Sequence, residues 1–168
     1  APSMGLAVYK TLEQKEPKNH FTIGIYEDVT NSSLDFSEKF DAAPAGSTSC
    51  KFYGLGSDGT VGANKNSIKI IGDHTDKHAQ AYFFYDSKKS GGITVSHLRF
   101  GDTPIQSEYL IDSADFVQCS NPSYITRYDM TSDIKEGGTF LLNTDATTVE
   151  KLEEFLPAKV KQDLAKKH

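Results

Sequence analysis

The chain has 168 residues, of which 37% are hydrophobic and 24% are charged. This is the composition of a globular protein, and the length suits one domain that can bury a core without disulfides. The formal net charge of −5 argues against nucleic-acid binding, which normally needs a clustered basic excess. It does not exclude an anionic ligand, because exposed charges are screened beyond about 8 Å at physiological salt. Cys50 and Cys119 are too few for a disulfide framework and lack zinc or iron–sulfur spacing, which predicts buried free thiols.

Several stretches combine helical spacing with start or stop signals. Leu6, Tyr9 and Leu12 lie three residues apart and predict a short helix over Gly5–Lys15, with one apolar face. Further helices are predicted over Ser67–Ile71, over Ser123–Ile134 and after the capping box formed by Thr147 and Glu150.

Runs of apolar and aromatic residues predict the strands. In chain order they are Phe21–Tyr26, Cys50–Tyr53, Ala79–Tyr85, Ile93–Phe100, Ile105–Ile111, Asp115–Ser120 and Thr139–Leu142. Ala79–Tyr85 is continuously apolar, which favours a strand buried on both faces, whereas Ile93–Phe100 alternates and predicts mixed faces. No helical pattern separates Ile93–Phe100 from Ile105–Ile111, so some antiparallel pairing is expected. The predicted fold class is α/β, with a mostly parallel or mixed central sheet flanked by helices, as one domain over residues 1–168.

The glycine-rich loop after the strand Cys50–Tyr53 is the most informative stretch. Gly54, Gly56 and Gly59 fit the pattern G-x-G-x-x-G in the expected place, after a strand and before a helix. Such a loop can hold a phosphate, because glycines let the backbone approach it and the first N–H groups of the helix point at it. Lys65 would add a mobile positive charge. The same glycines suit a tight turn that only packs the helix on the sheet, so both interpretations remain open.

Two further polar loops follow predicted strands. Residues 27–34 (EDVTNSSL) come after the first strand, and Asp86–Gly92 comes after Ala79–Tyr85 and contains Lys88 and Lys89. Open α/β sheets bind ligands beyond the carboxyl ends of their strands, so both loops are candidate ligand sites. Their residue types also suit helix caps and ordinary solvated turns, which leaves a structural interpretation equally open.

Patterns for other chemistry are missing from the sequence. It contains neither the G-x-S-x-G of a hydrolase nucleophile elbow nor the G-x-x-x-x-G-K-[ST] of a P-loop. His74 and His78 are four residues apart but have no third ligand nearby, so we interpret them as solvated side chains rather than a metal site. The residues alone therefore predict an anion-binding α/β domain with no catalytic residue and no metal site.

At the loops the sequence is similar to one known family. The matching segments are Phe21–Leu34, Phe52–Asp73, Tyr85–Gly101 and Asp115–Pro122. They resemble the third, gamma-type domain of pyruvate:ferredoxin (flavodoxin) oxidoreductase, in the thiamine-dependent family of 2-oxoacid:acceptor oxidoreductases. The resemblance covers roughly Lys18 to Asn143, and it is weakest at Tyr26 and over Asp35–Ser49.

The resemblance implies a role in the oxidative decarboxylation of pyruvate to acetyl-CoA, with electrons passing to ferredoxin or flavodoxin. It implies that this domain binds coenzyme A through the loop after the first strand and the lysine after the glycine loop, which here are Thr30, Asn31, Ser32, Ser33, Leu34 and Lys65. The glycine pattern itself adds Gly56, Ser57 and Gly59 as candidate binding residues. Thiamine diphosphate, Mg and [4Fe–4S] clusters are expected on other domains, so the chain is a piece of a larger enzyme and inactive alone.

The resemblance also implies partners and a location. The expected partners are the other domains of the same enzyme and, through the full enzyme, ferredoxin or flavodoxin. The full enzyme is expected to be a homodimer in the cytoplasm or in the matrix of an anaerobic organelle. No membrane contact is expected, because no apolar run approaches the ~20 residues of a membrane-spanning helix.

Two alternatives belong to other functional classes. A stand-alone NAD(P)-binding oxidoreductase would use the glycine pattern and place a ribose-binding acid at Asp86. That residue lies 32 positions beyond Gly54, however, where about 20 is usual, and Lys65 would have no role. A non-catalytic interface domain would use the same loops only as contact surfaces. Titration with coenzyme A against NAD separates the three hypotheses.

Overall fold

A computed structural model describes residues 1–25, 29–86 and 91–167. Its backbone contacts divide the chain into two compact units, Ala1–Ala42 and Ala43–His168.

The first unit contains one helix and one pair of short strands. Helix α1 spans Pro2–Leu12, strand β1 spans Thr22–Ile23 and strand β2 spans Ser33–Leu34. The two strands are parallel, with Thr22 opposite Ser33. Two strands of two residues each form few hydrogen bonds, so the pair fixes only the backbone directly beside it.

Both predicted elements of the first unit exist with different bounds. The helix predicted over Gly5–Lys15 begins at Pro2, which suits a first helical turn because the N–H that proline lacks would have no helical partner there. The strand predicted over Phe21–Tyr26 is shorter, since Gly24 has a φ of 74° and leaves the extended conformation. The last residue of that prediction, Tyr26, lies outside the described residues.

The second unit is built on a mixed five-stranded sheet. Its strands are β3 (Thr48–Leu55), β4 (His78–Tyr85), β5 (Ile93–Gly101), β6 (Ala114–Cys119) and β7 (Ile134–Leu142). Their order in the sheet is β4-β5-β3-β6-β7. β5 is antiparallel to both β4 and β3, whereas β3, β6 and β7 run parallel to one another. The predicted mixed α/β fold class is therefore confirmed.

Helices connect and cover the strands of this sheet. They are α2 (Thr60–His74), α3 (Val149–Phe155) and α4 (Ala158–Lys166), with a 3-10 helix over Pro122–Thr126. The prediction over Ser67–Ile71 lies inside α2, which begins directly after the glycine loop. Thr148 rather than Thr147 caps α3, because its side chain accepts from the N–H of Lys151.

Two predicted elements of the sheet region are wrong. Ser123–Ile134 is not one helix, since only the 3-10 helix forms and Ile134 already starts β7. Ile105–Ile111 is not a strand. Its backbone instead bonds to two buried side chains of β5. Ile111 donates its N–H to His97, and the carbonyl of Ser107 accepts from Arg99.

The predicted burial of β4 and β5 is reversed in the structure. Ala79–Tyr85 was expected to be buried on both faces, but β4 is an edge strand with Tyr82 57% and Phe84 43% exposed. β5 lies inside the sheet, and Ile93 to Arg99 are all buried. The strand with the more polar sequence occupies the interior because sheet order, which local sequence does not encode, decides which strand has neighbours on both sides.

The apolar core lies on one face of the sheet. It consists of Tyr53, Ile93, Val95, Ile111, Ala114, Val117, Cys119, Tyr124, Met130 and Ile134. Leu164 of α4 packs against this cluster. The predicted buried free thiols are confirmed, and burial raises the pKa of both Cys50 and Cys119 to about 11.

Lys51 and His97 are buried on the same face, and each has a specific partner. Lys51 Nζ lies 2.5 Å from a carboxylate oxygen of Asp133. Burial alone would lower the pKa of Lys51, but Tyr53 and Asp133 together raise it. His97 accepts the N–H of Ile111 at Nδ1 over 3.2 Å. Burial, with the nearby positive charges, lowers the pKa of His97 to about 4.

Candidate functional site

The glycine loop borders a cleft of about 460 Å³ in the second unit. One wall is the loop between β3 and α2, including Gly56, Ser57 and Gly59. The opposite wall comes from the end of β4 and the start of β5, including Tyr85 and Thr94. Three of the predicted binding residues, all from the glycine loop, are therefore brought together around one cavity.

Each glycine of the pattern has its own structural reason. A side chain at Gly54 would lie 2.7 Å from Cβ of Thr60, so this glycine lets α2 approach β3 closely. Gly56 donates its N–H to the carbonyl of Gly92 over 2.8 Å, which ties the loop to the start of β5. Gly59 has a φ of 91° directly before α2, a conformation that side chains disfavour. The predicted strand–loop–helix context is therefore present.

The carboxylate of Asp58 already accepts hydrogen bonds from backbone N–H groups of this loop. One carboxylate oxygen accepts the N–H of Leu55 and the other accepts the N–H of Thr60, both over 2.8 Å. The second bond caps the start of α2, where an unpaired N–H and the helix dipole favour negative charge. A phosphate at this position would therefore compete with Asp58. The order Asp-Gly-Thr before a helix is a capping pattern that could have indicated this role from sequence.

Lys65 lies about one turn further along α2. Among the described residues that line the cleft, α2 contributes Val61 and Gly62 but not Lys65. The Lys65 side chain is exposed, and its Nζ lies 5.4 Å from the ring centroid of Phe83 in β4. A cation–π contact at an exposed position contributes about 0.5–1 kcal/mol, so the ammonium can be redirected at small cost.

The other predicted binding loop belongs to the first unit. Thr30 and Asn31 are exposed, and Asn31 has a φ of 48°. Ser32 accepts at its carbonyl from Lys18 Nζ over 3.0 Å. The last two predicted residues, Ser33 and Leu34, form β2 rather than a loop. The predicted set is thus divided between the two units.

Some residues of the candidate loops lie outside the described part of the chain. They are Glu27 and Asp28 in the first loop and residues 87–90, which include Lys88 and Lys89, in the loop after β4. Asp86, the acid that the NAD(P) alternative needs, is described and lines the cleft.

A second, more polar cleft lies at the carboxyl ends of the parallel strands β3, β6 and β7. It measures about 570 Å³ and is lined by Thr60, Gln118, Ser120 and Asn143, among others. The hydroxyl of Ser120 accepts from Thr60 over 3.2 Å and from Gln118 over 3.1 Å. These residues were not predicted from the sequence, although polar side chains at the carboxyl ends of parallel strands indicate a ligand site.

The histidine pair does not form part of a metal centre in the described chain. His74 ends α2, His78 begins β4, and both are exposed. Over residues 1–25, 29–86 and 91–167, no three His, Cys, Asp or Glu side chains are grouped so that they could hold a metal ion. In the same ranges, no helix has the length and apolar character needed to cross a membrane.

Comparison with known proteins identifies relatives over nearly the whole chain. The chain is 60% identical over 166 residues to "Pyruvate:ferredoxin oxidoreductase" of Moorella thermoacetica, which covers 99% of this chain and 14% of that protein. It is 54% identical over 165 residues to "Pyruvate-flavodoxin oxidoreductase" of Enterobacter agglomerans, covering 98% of this chain and 14% of that protein. The chain therefore spans only 14% of the length of these relatives.

A solved structure and a family model complete the comparison. The pyruvate oxidoreductase subunit PORC of Thermotoga maritima superposes with a TM-score of 0.53 at 17% identity, covering 66% of this chain and 57% of that one. At this identity the likeness concerns the fold alone. Residues 49–168 match the family model "Pyruvate ferredoxin/flavodoxin oxidoreductase". The resemblance found in the sequence is thereby confirmed: the chain belongs to the pyruvate ferredoxin/flavodoxin oxidoreductase family.

Proposed function

We propose that this chain is the coenzyme A-binding domain of a thiamine-dependent pyruvate:ferredoxin or pyruvate:flavodoxin oxidoreductase. The high identity to relatives with these names, over nearly all of the chain, supports the assignment to this enzyme. The observation that carries the binding role is the cleft of about 460 Å³ at the glycine loop, bordered by the first turn of α2. Its size suits part of a nucleotide-like ligand, and its walls offer backbone groups at the start of a helix.

Positive charge for the phosphates of coenzyme A comes from Lys65 in this proposal. Asp58 already occupies the N–H groups of Leu55 and Thr60, so the loop backbone alone provides fewer donors than the glycine pattern suggested. The exposed ammonium of Lys65 can leave Phe83 and pair with a phosphate. Such a charge-assisted hydrogen bond is worth about 1.5–3 kcal/mol.

The resemblance to the family also assigns coenzyme A binding to Thr30 to Leu34 of the first unit, through hydroxyl, amide and backbone groups. Thr30 and Asn31 are exposed and can face a ligand, whereas the pairing of Ser33 and Leu34 in β2 holds the base of the loop. Coenzyme A, when bound, supplies the thiol that accepts the acetyl group. The role of this chain is to hold and orient that substrate.

The redox cofactors of the proposed enzyme do not fit the residues of this chain. A [4Fe–4S] cluster is held by four cysteine thiolates, whereas Cys50 and Cys119 are the two cysteines of the sequence and both are buried. Their raised pKa values disfavour the thiolate form that binds iron. We therefore assign the clusters and thiamine diphosphate to the remainder of a longer polypeptide.

The NAD(P) alternative is disfavoured by strand order. A dinucleotide-binding unit places its first two parallel strands side by side, with the connecting helix packed across them. Here β5 lies between β3 and β4 and runs antiparallel to both. The acid at Asp86 is consequently one strand further from the glycine loop than that architecture requires.

Isothermal titration of the full-length protein with coenzyme A and, separately, with NAD tests the proposal. We expect binding of coenzyme A and no binding of NAD. Lys65→Ala should weaken coenzyme A binding about 10- to 150-fold, the equivalent of 1.5–3 kcal/mol. Lys69→Ala is the matched control, because Lys69 is an exposed lysine one turn further along α2. Unchanged affinity in Lys65→Ala would exclude the assigned role of this lysine, and binding of NAD alone would reverse the proposal.

A further inference from the structure

The two edges of the five-stranded sheet are protected very differently. β7 carries Lys135 and Glu136, shifts its register against β6, and donates the N–H of Gly137 to the carbonyl of Lys167. Charged side chains, irregular register and a covering segment are the devices by which proteins block an exposed edge. β4, with the sequence HAQAYFFY, contains no Lys, Arg, Asp, Glu, Gly or Pro. Over the described residues, it pairs with β5 alone.

The middle of one face of β4 is partly covered, whereas the two aromatic side chains on the other face remain exposed. Ala81 and Phe83 are half-buried, and Lys65 of α2 lies over the Phe83 ring. Tyr82 and Phe84 point to the opposite face, where the register places Phe84 beside Val95 of the core. Both aromatic side chains nevertheless remain substantially exposed. An uncharged strand edge beside two exposed aromatic rings is a surface that proteins normally cover.

We propose that β4 is the docking edge for an extended apolar segment from the remainder of the longer polypeptide. The segment pairs with the outer backbone edge of β4 and covers Tyr82 and Phe84. This inference rests on the proposed function, because the docked segment comes from the longer enzyme of which this chain is proposed to be one domain. The length of the relatives supports this occupant, because the matched part forms only 14% of two proteins that are 60% and 54% identical to the chain over that part.

The docking edge leads directly to the candidate site. β4 ends at Tyr85, and Tyr85 and Asp86 line the cleft at the glycine loop. A segment paired along β4 therefore ends beside the ligand cleft, where it can contribute to the wall that this chain leaves open.

Hydrogen exchange measured by mass spectrometry on the full-length protein tests the docking. In the absence of coenzyme A, we expect amide protection across β4 to match that of the interior strand β5, because both edges of β4 are then paired. Double substitution of Tyr82→Thr and Phe84→Thr should speed exchange in β4 about tenfold or more and leave β6 unchanged. Threonine retains strand propensity, so this change removes the apolar cover without disfavouring the strand.

The other edge strand, β7, provides the control, and exchange in β4 itself provides the opposing outcomes. Leu141→Lys alters a half-exposed residue of β7 and should leave exchange in β4 unchanged. Rapid exchange at alternate amides of β4 in the parent protein would overturn the docking. Protection that disappears on dilution, together with a halved particle mass, would identify a second copy as the occupant and would also overturn it. Because no coenzyme A is present, failure here is distinct from failure of the binding role.

Discussion

Three neighbouring residues on one face of the sheet reverse the usual order of burial. Lys51, His97 and Tyr82 lie side by side across β3, β5 and β4. The lysine is 6% exposed, the histidine 4% and the tyrosine 57%. The apolar aromatic ring is open while two ionisable groups are enclosed, so cover from other elements, rather than side-chain polarity, determines burial in this row.

The covered part of the row is stabilised by specific partners. Lys51 is paired with Asp133, and His97 accepts an N–H from Ile111, the end of the segment that was expected to be a strand. Each bond offsets part of the cost of removing a polar group from water. Tyr82 lies beyond the covering segment, which is why the same sheet face is a core over β3 and a surface over β4.

The largest effect is expected from removing the carboxylate partner of the buried Lys51. Asp133→Ala leaves the ammonium of Lys51 enclosed without its carboxylate, which should lower the free energy of unfolding by about 3–5 kcal/mol. Asp102→Ala is the control, because it breaks the exposed pair with Lys77 and should cost at most about 1 kcal/mol. Urea unfolding measures both. Equal losses in the two variants would mean that enclosure of Lys51 has no energetic consequence.

A somewhat smaller effect is expected from titrating His97. Its pKa is about 4 in the folded chain and 6.5 ordinarily, so between these values the unfolded chain binds more protons. Stability should therefore be full above pH 6.5 and fall as the pH drops towards 4, by about 3 kcal/mol. His97→Gln, which can still accept from Ile111, should flatten this part of the pH profile. A profile that keeps its slope would assign the pH dependence to other groups.

The smallest effect is expected at the open end of the row. Tyr82→Thr alone, in a chain that lacks any docked segment, should change the free energy of unfolding by less than about 0.5 kcal/mol, because the ring is mostly in water. Thermal unfolding provides the measurement. A loss of several kcal/mol would show that Tyr82 is already covered and would remove the contrast with Lys51 and His97.

The elements that sequence predicted well are those with local causes. Gly54 and Gly59 each meet a constraint within the strand–loop–helix unit, and α2 follows them as the pattern indicates. The segment ending at Cys119 formed the predicted strand because apolar alternation and flanking turn residues agree there. In the candidate site, the glycine-loop residues were found for the same reason.

The elements that sequence predicted poorly depend on distant partners. Ile105–Ile111 has strand composition, but its backbone bonds to side chains of β5 instead. The polar cleft with Gln118 combines side chains from separate strands, and no local pattern reports that combination.

By itself, the sequence determined the family, the mixed α/β class and the glycine loop, because each depends on residue identity or on spacing within one segment. Only the tertiary structure decided that β5 is an interior strand and β4 an edge strand. It also decided that Lys51 is buried and Tyr82 is exposed. The physical reason is that burial depends on which segments pack above and beside a residue. Those neighbours come from distant parts of the chain, and the hydrophobicity of a strand only limits where it can be placed.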